Sequence, residues 1–172
     1  MKLLYAARMA RPDIITAVTR LAKFMHKWDL NCDRKLKRLF DYLSCNTNIE
    51  LHGSLSNADR ENVFIAGWPD ADLNGNPDTS KSTSGRYVEI VSTSGRRMSL
   101  NWSSKSQGGS AHSTPDAETT SLGHCVRDDI IPFQMLLSIL LGRTVNAVCY
   151  EDNTACFSAI KRGYSPAMRY LK

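Results

Sequence analysis

Long hydrophobic runs are missing from this 172-residue sequence. A membrane-spanning helix needs about 20 predominantly apolar residues, and the longest apolar piece, residues 135–141, is far shorter. The N-terminus also lacks the apolar core of a secretory signal: Leu3, Leu4, Tyr5, Ala6 and Ala7 are followed at once by Arg8 and Arg11. Cysteines are five in number (Cys32, Cys45, Cys125, Cys149 and Cys156), widely spaced and without a Cys-x-x-Cys pair. That pattern excludes a recognisable zinc site and a disulfide framework. It places the expected chain in a reducing, intracellular setting, with Cys149 and Cys156 as packing residues. Acids are missing from the C-terminal end, where none follows Asp152.

A composition that is 42% hydrophobic and 23% charged is enough for a water-exposed fold with a core. The net charge of +5 is unevenly spread. Residues 1–43 hold ten Lys/Arg against four Asp/Glu, whereas residues 44–172 hold twelve against thirteen. A basic arm beside a near-neutral, acid-bearing region suits a nucleic-acid partner, because phosphates are met by Lys and Arg. A solvated helix face would show the same excess.

Hydrophobic periodicity divides the chain. Residues 12–28 predict a helix, with Pro12 and Asp13 in its first turn and Ile14, Ala17, Val18, Leu21, Phe24 and Met25 on one face. A second helix is expected over residues 34–43, capped by Asp33, with Leu36, Leu39, Phe40 and Leu43 as its stripe and Arg34, Lys35, Lys37 and Arg38 opposite. The first region, residues 1–45, thus reads as a small helical hairpin, and residues 46–62 as a linker. From residue 63 the period changes to that of strands, over 63–68, 87–91 and 98–102, with Ser94-Gly95 as a hairpin turn. Residues 69–86 and 103–114 are rich in turn formers and read as loops. A helix over 115–127 is expected to kink or break at Pro132, and a further apolar helix ends at Gly142. A strand over 145–150 and a helix from Thr154 close the pattern. The order β-β-β-α-β-α predicts an α/β mixed sheet with flanking helices.

Carboxylates mark the ends of these elements. Asp70 and Asp72 follow the first strand at i and i+2, on one face. Glu118 lies in the first turn of the third predicted helix, and Asp152 just past the fourth strand. Clustered carboxylates are the ligands that a hard divalent cation prefers. Asp72, Asp116 and Glu151 read as neighbouring or solvated acids, Asn153 as a helix cap, Trp102 as core, and His112 and His124 as structural or surface residues.

The runs that carry a family likeness are Leu4-Tyr5-Ala6-Ala7-Arg8-Met9-Ala10-Arg11-Pro12-Asp13-Ile14, Asp70-Ala71-Asp72, Asp78 with Lys81-Ser82-Thr83-Ser84-Gly85, Trp102-Ser103-Ser104-Lys105-Ser106-Gln107, Ala117-Glu118 and Glu151-Asp152-Asn153. Together they resemble the end of the reverse transcriptase and the following ribonuclease H domain of copia-type LTR retrotransposon polyproteins. The likeness implies a ribonuclease H-like fold over residues 63–172. It also implies hydrolysis of the RNA strand of RNA·DNA hybrids with two Mg²⁺ ions, held by Asp70, Glu118 and Asp152 as catalytic and metal-binding residues. Lys35, Arg38, Lys81, Ser82 and Ser84 are the expected nucleic-acid contacts. The implied partners are the hybrid and the remainder of a retroelement polymerase, and the implied location is cytoplasmic with passage to the nucleus.

The family's domain continues into a fifth strand and a last helix bearing a fourth acid. Those elements and that ligand are expected to be missing here, leaving apolar surface and a weakened second metal site. Weak activity, or none, is therefore the expectation for the chain by itself. The alternatives are a non-catalytic remnant that grips hybrid duplexes, and a protein adaptor using residues 133–141.

Overall fold

A computed structural model describes residues 2–76 and 80–163. Asp78, and everything from residue 164 onward, lie outside the described residues. The chain forms two compact units, Met1–His52 and Gly53–Lys172.

In the first unit, helix α1 (Lys2–Met9) leads through a 3-10 turn (Pro12–Ile14) into α2 (Ile15–Ala22), and α3 spans Leu30–Cys45. Ala7, Ile14, Val18, Leu21, Cys32 and Leu39 form its buried centre, flanked by Leu36 and Leu43. The apolar stripes expected from periodicity therefore meet one another. Two expectations are corrected. Helix α3 begins at Leu30 because Asp29, rather than Asp33, is its cap: the Asp29 carboxylate accepts the Cys32 N–H at 2.7 Å. Asp33 instead accepts the Trp28 indole N–H at 2.7 Å. Met25 and Phe40 stay exposed, outside the stripe they were assigned to. Arg11 ion-pairs with Asp13 at 2.8 Å, and the Tyr42 hydroxyl donates to the same carboxylate at 3.0 Å, tying α3 to the start of α2.

In the second unit, β1 (Val63–Asn76), β2 (Lys81–Ser92) and β3 (Arg97–Ser106) form an antiparallel meander. Helix α4 (Thr114–Cys125), a π-turn (Val126–Ile130) and α5 (Ile131–Leu141) follow in one continuous run. Strand β4 (Ala147–Cys149) then pairs parallel to β1, and α6 spans Thr154–Arg162. The sheet order is β3-β2-β1-β4, a mixed sheet with flanking helices as the sequence predicts. Among the described residues no helix is long and apolar enough to cross a membrane.

The strands are longer than their apolar patterns. β1 runs on through Asp70 and Asp72, and β2 begins at Lys81, with Asp70 opposite Gly85 and Asp72 opposite Thr83. The expected loop after residue 69 is therefore sheet, because buried polar partners replace apolar packing there. Pro132 causes no break either. It sits in the first turn of α5, where its missing N–H costs little, and the preceding π-turn absorbs the change of register. Gly142 closes α5 in the left-handed conformation, at φ +67°.

One face of the sheet carries the core. Val63, Ile65, Val88 and Ile90 pack with Cys125 and Ile130 of the helical run and with Val145. Gly67 lets the helices approach this closely: a Cβ there would stand 2.7 Å from Ile130 Cδ1 and 3.2 Å from Cys125 Sγ. The π-turn is pinned to the sheet by Arg86, 2.8 Å from Asp129, and by Asn101 Nδ2, which donates to Asp129 at 2.7 Å. The opposite face carries a row of aromatic rings. Trp68 stacks on Tyr150 (centroids 5.2 Å apart, planes at 12°) and continues through Tyr87 to Trp102.

Part of the stretch read as a linker is fixed to this unit. Asp59, in a 3-10 turn (Asn57–Asp59), is buried. It accepts the hydroxyls of Ser92 and Ser94 at 2.7 Å each and ion-pairs with Arg96 at 3.0 Å. Those partners flank the Ser94-Gly95 hairpin turn, in which Gly95 has φ +87°.

Candidate functional site

The parallel pairing of β4 with β1 ends early, at Gly67 opposite Cys149, with one more hydrogen bond from the Tyr150 N–H to the Gly67 carbonyl at 2.9 Å. Beyond that point β1 stays paired with β2 but runs past the end of β4. Its edge is open, and side chains from both faces of the sheet converge there. Asp70 comes from the aromatic face of β1, paired two residues beyond Trp68. Glu118 comes from the first turns of α4, and Glu151 and Asp152 from the segment after β4. Trp68, Pro69, Asp70, Tyr150, Glu151 and Asp152 line a depression of about 350 Å³.

Helix α4 is held in place by residues that looked like a loop. Ser121 Oγ donates to the carbonyls of Asp70 (2.8 Å) and Gly85 (3.1 Å), anchoring α4 over β1 and β2. Gln107 Nε2 donates to Ser84 Oγ at 2.9 Å and to the Ala117 carbonyl at 2.8 Å. The Asp116 carboxylate is buried and accepts the His112 N–H at 2.8 Å, so it is no solvated acid but a clamp on the preceding loop.

The acids expected at the site are brought together unequally. One carboxylate oxygen each of Glu118, Glu151 and Asp152 lies within 4.8 Å of the others; among the described residues this is the cluster suited to a cation. Asp70 stands at the rim, exposed, and acts on Glu118 and Glu151 through its charge. Glu118 is 4% exposed, and its Oε2 has no hydrogen-bond partner among the described residues. Burial, then repulsion from Glu151, Asp70 and Asp152, pushes its carboxyl up to about 7. Glu151, read as a solvated neighbour, is half-buried; desolvation raises its pKa, and its Oε2 likewise lacks a partner among the described residues. Sequence reasoning missed it because an acid next to Asp152 on a short strand end looks solvent-facing. No apolar signal pointed to it either: in the run Val148-Cys149-Tyr150 before it, Val148 and Tyr150 are themselves exposed.

Asn153 caps α6 as expected, accepting the N–H groups of Ala155 (3.0 Å) and Cys156 (2.9 Å). Asp72 is exposed at the surface. Trp102 is buried, as expected, but in the aromatic row rather than under the helices. Two expected phosphate contacts are corrected. Ser82 is fully buried, its Oγ accepting the Asn74 N–H at 3.4 Å, and buried Ser84 accepts from Gln107. Both serve the sheet and are closed to a phosphate. Lys81 is half-buried at the start of β2. Lys35 and Arg38 are exposed on α3 and, with Arg20, line a cleft of about 450 Å³ floored by Ile14, Leu21 and Leu39. The Lys35 ammonium lies 5.7 Å above the Phe24 ring.

No family model matches the chain, and no solved structure does. Over 143 residues, 83% of its length, the chain is 31% identical to a retrovirus-related Pol polyprotein from transposon RE1 of Arabidopsis thaliana. It spans 9% of the length of that protein. This similarity supports an origin of the chain in a retrotransposon polyprotein.

Proposed function

We propose that the second unit is a ribonuclease H-like domain of a copia-type retroelement polymerase, acting on the RNA strand of RNA·DNA hybrids. One observation carries the reading: carboxylates from α4 and the segment after β4 cluster beside the rim acid Asp70 of β1, around a buried Glu118 oxygen with no hydrogen-bond partner among the described residues.

The donor set fits Mg²⁺. It offers only carboxylate oxygens, two of them buried and unpaired among the described residues, and a carboxylate left buried without a counter-charge is costly. Asp70, Glu118 and Asp152 would hold the ions. When bound, two such ions supply an activated water and stabilise the leaving oxygen of a phosphodiester. The chain's own residues do the remaining work. Ser121 and Gln107 fix α4, and with it Glu118, against the sheet. Asp152 and Glu151 precede the Asn153 cap, whose N–H holds one Glu151 oxygen at 3.1 Å. Asp70 at the rim faces the solvent from which a scissile phosphate would arrive.

The first unit suits the same partner, since Lys35 and Arg38 present exposed positive charge to a phosphate backbone. The test is cleavage of a labelled RNA·DNA hybrid with Mg²⁺ or Mn²⁺ by the chain and by its Asp70→Asn variant. At most weak cleavage is expected of the chain by itself, and any cleavage should disappear in the variant. A folded chain that binds hybrid without cutting it would leave the non-catalytic alternative in its place.

A further inference from the structure

One acid of the cluster, Glu151, has no role in the family resemblance. Glu151 meets Glu118 and Asp152 within 4.8 Å, whereas Asp70 stays outside that radius. A solvated neighbour would turn both oxygens to water. Glu151 does not: its Oε1 accepts the Asn153 N–H at 3.1 Å, and its Oε2 is buried with no partner among the described residues.

That hydrogen bond orients the carboxylate. With one oxygen held by the backbone that begins α6, the other is turned inward beside Glu118. Glu118, itself 4% exposed, supplies a second buried, unpartnered oxygen at the same place. The charged groups acting most strongly on Glu118 are Glu151, Asp70 and Asp152, all of one sign. Thiols complete the surroundings: Cys156 faces Glu151 from α6, and Cys149 ends β4 nearby. A cation is the group that such a set lacks. Oxygens at opposite corners around Mg²⁺ stand about 4.2 Å apart, twice a bond of about 2.1 Å. The observed 4.8 Å limit is thus close to what one ion spans, and a small side-chain rotation would close the difference.

We propose that Glu151 is a direct ligand of a divalent cation, completing an inner set with Glu118 and Asp152 while Asp70 acts from the rim. The proposal rests on reading the cluster as a cation site, and it assigns to the centre a ligand that the family resemblance does not supply.

The test measures binding rather than turnover. Mn²⁺ uptake by the full chain is followed by paramagnetic resonance and by calorimetry, for the parent and for Glu151→Gln, Asp152→Asn and Asp70→Asn. Glu151→Gln keeps the shape and the acceptor for the Asn153 N–H but removes the charge. Its affinity for Mn²⁺ should fall by about tenfold or more, alongside Asp152→Asn, and Asp70→Asn should lose less. Glu151→Asp keeps the charge but withdraws the oxygens by one methylene, so it too should bind more weakly. Circular dichroism checks that each variant is folded. Parent-like binding in either Glu151 variant, with loss in Asp152→Asn, would overturn the ligand role and leave the cation site standing. No Mn²⁺ uptake by the parent at millimolar concentration would overturn both.

Discussion

Gln107 and Glu118 are connected through a single backbone group: Gln107 Nε2 donates to the carbonyl of Ala117, the residue before Glu118, at 2.8 Å. The same amide donates to Ser84 Oγ on β2. A residue just past β3 therefore ties the start of α4 to the sheet, and the position of the buried acid depends on it. Gln107→Ala removes both hydrogen bonds and leaves buried acceptors unpaired, which costs about 1–3 kcal/mol. Thermal or urea unfolding should show that loss, and cation affinity should drop with it. Unchanged stability would mean that α4 is held by its other contacts.

Gly67 is required by proximity. An added methyl would meet Ile130 Cδ1 at 2.7 Å, inside the packed core. Gly67→Ala should destabilise the second unit by about 1–3 kcal/mol, the usual cost of overpacking. Adding Ile130→Val, which removes that Cδ1, should recover part of the loss. A double variant no more stable than Gly67→Ala alone would place the clash elsewhere, on Cys125.

The buried acid makes stability depend on pH. The Glu118 carboxyl is raised from 4.5 to about 7, so the folded state holds its proton more tightly than the unfolded chain does. The resulting stabilisation is fully present below the unfolded value of 4.5 and is lost as pH rises through about 7. Without divalent ions, the Tm of the chain should fall across that window. Added Mg²⁺ should offset the fall by favouring the ionised form. Glu118→Gln should flatten the profile, and a parent profile already flat there would refute the shift.

Asp59 has the opposite sign. Hydrogen bonds from Ser94, Ser92 and the Ser56 backbone, with Arg96 beside them, hold its carboxyl well below the usual carboxylate range. Its contribution is present above the unfolded value of 3.8 and is lost as pH falls toward the folded one. Asp59→Asn should lower the Tm at neutral pH by several degrees and weaken the acid dependence of unfolding. An unaltered acid limb would show that other carboxylates dominate it.

The basic face of α3 is testable by salt. If Lys35 and Arg38 each meet a phosphate, replacing both with Glu should weaken hybrid binding for every sequence. It should also reduce the slope of log affinity against log salt by about two, one for each lost contact. An unchanged slope would assign these charges to solvent.

The sequence by itself determined the order of the elements after α1, which left no clear period, and a few of their ends. Alternating apolar residues at Val63, Ile65, Val88 and Ile90 mark strands, and the Leu36-Leu39-Leu43 spacing marks a helix, because burial against one face leaves a period in the chain. Gly142, Asn153 and the Ser94-Gly95 turn mark boundaries through local backbone chemistry. What only the tertiary structure decided is where polar residues are buried. Ser84 reads as a loop residue until Gln107, 23 positions away, bonds to it. Asp29 and Asp33 are equivalent caps by type, and the packing of α3 selects the first. Glu151 reads as a surface acid until the early end of β4 brings it against Glu118, 33 positions earlier in the chain. Apolar burial repeats along the chain and is legible there, whereas the partner that makes a buried polar group tolerable is chosen by the fold.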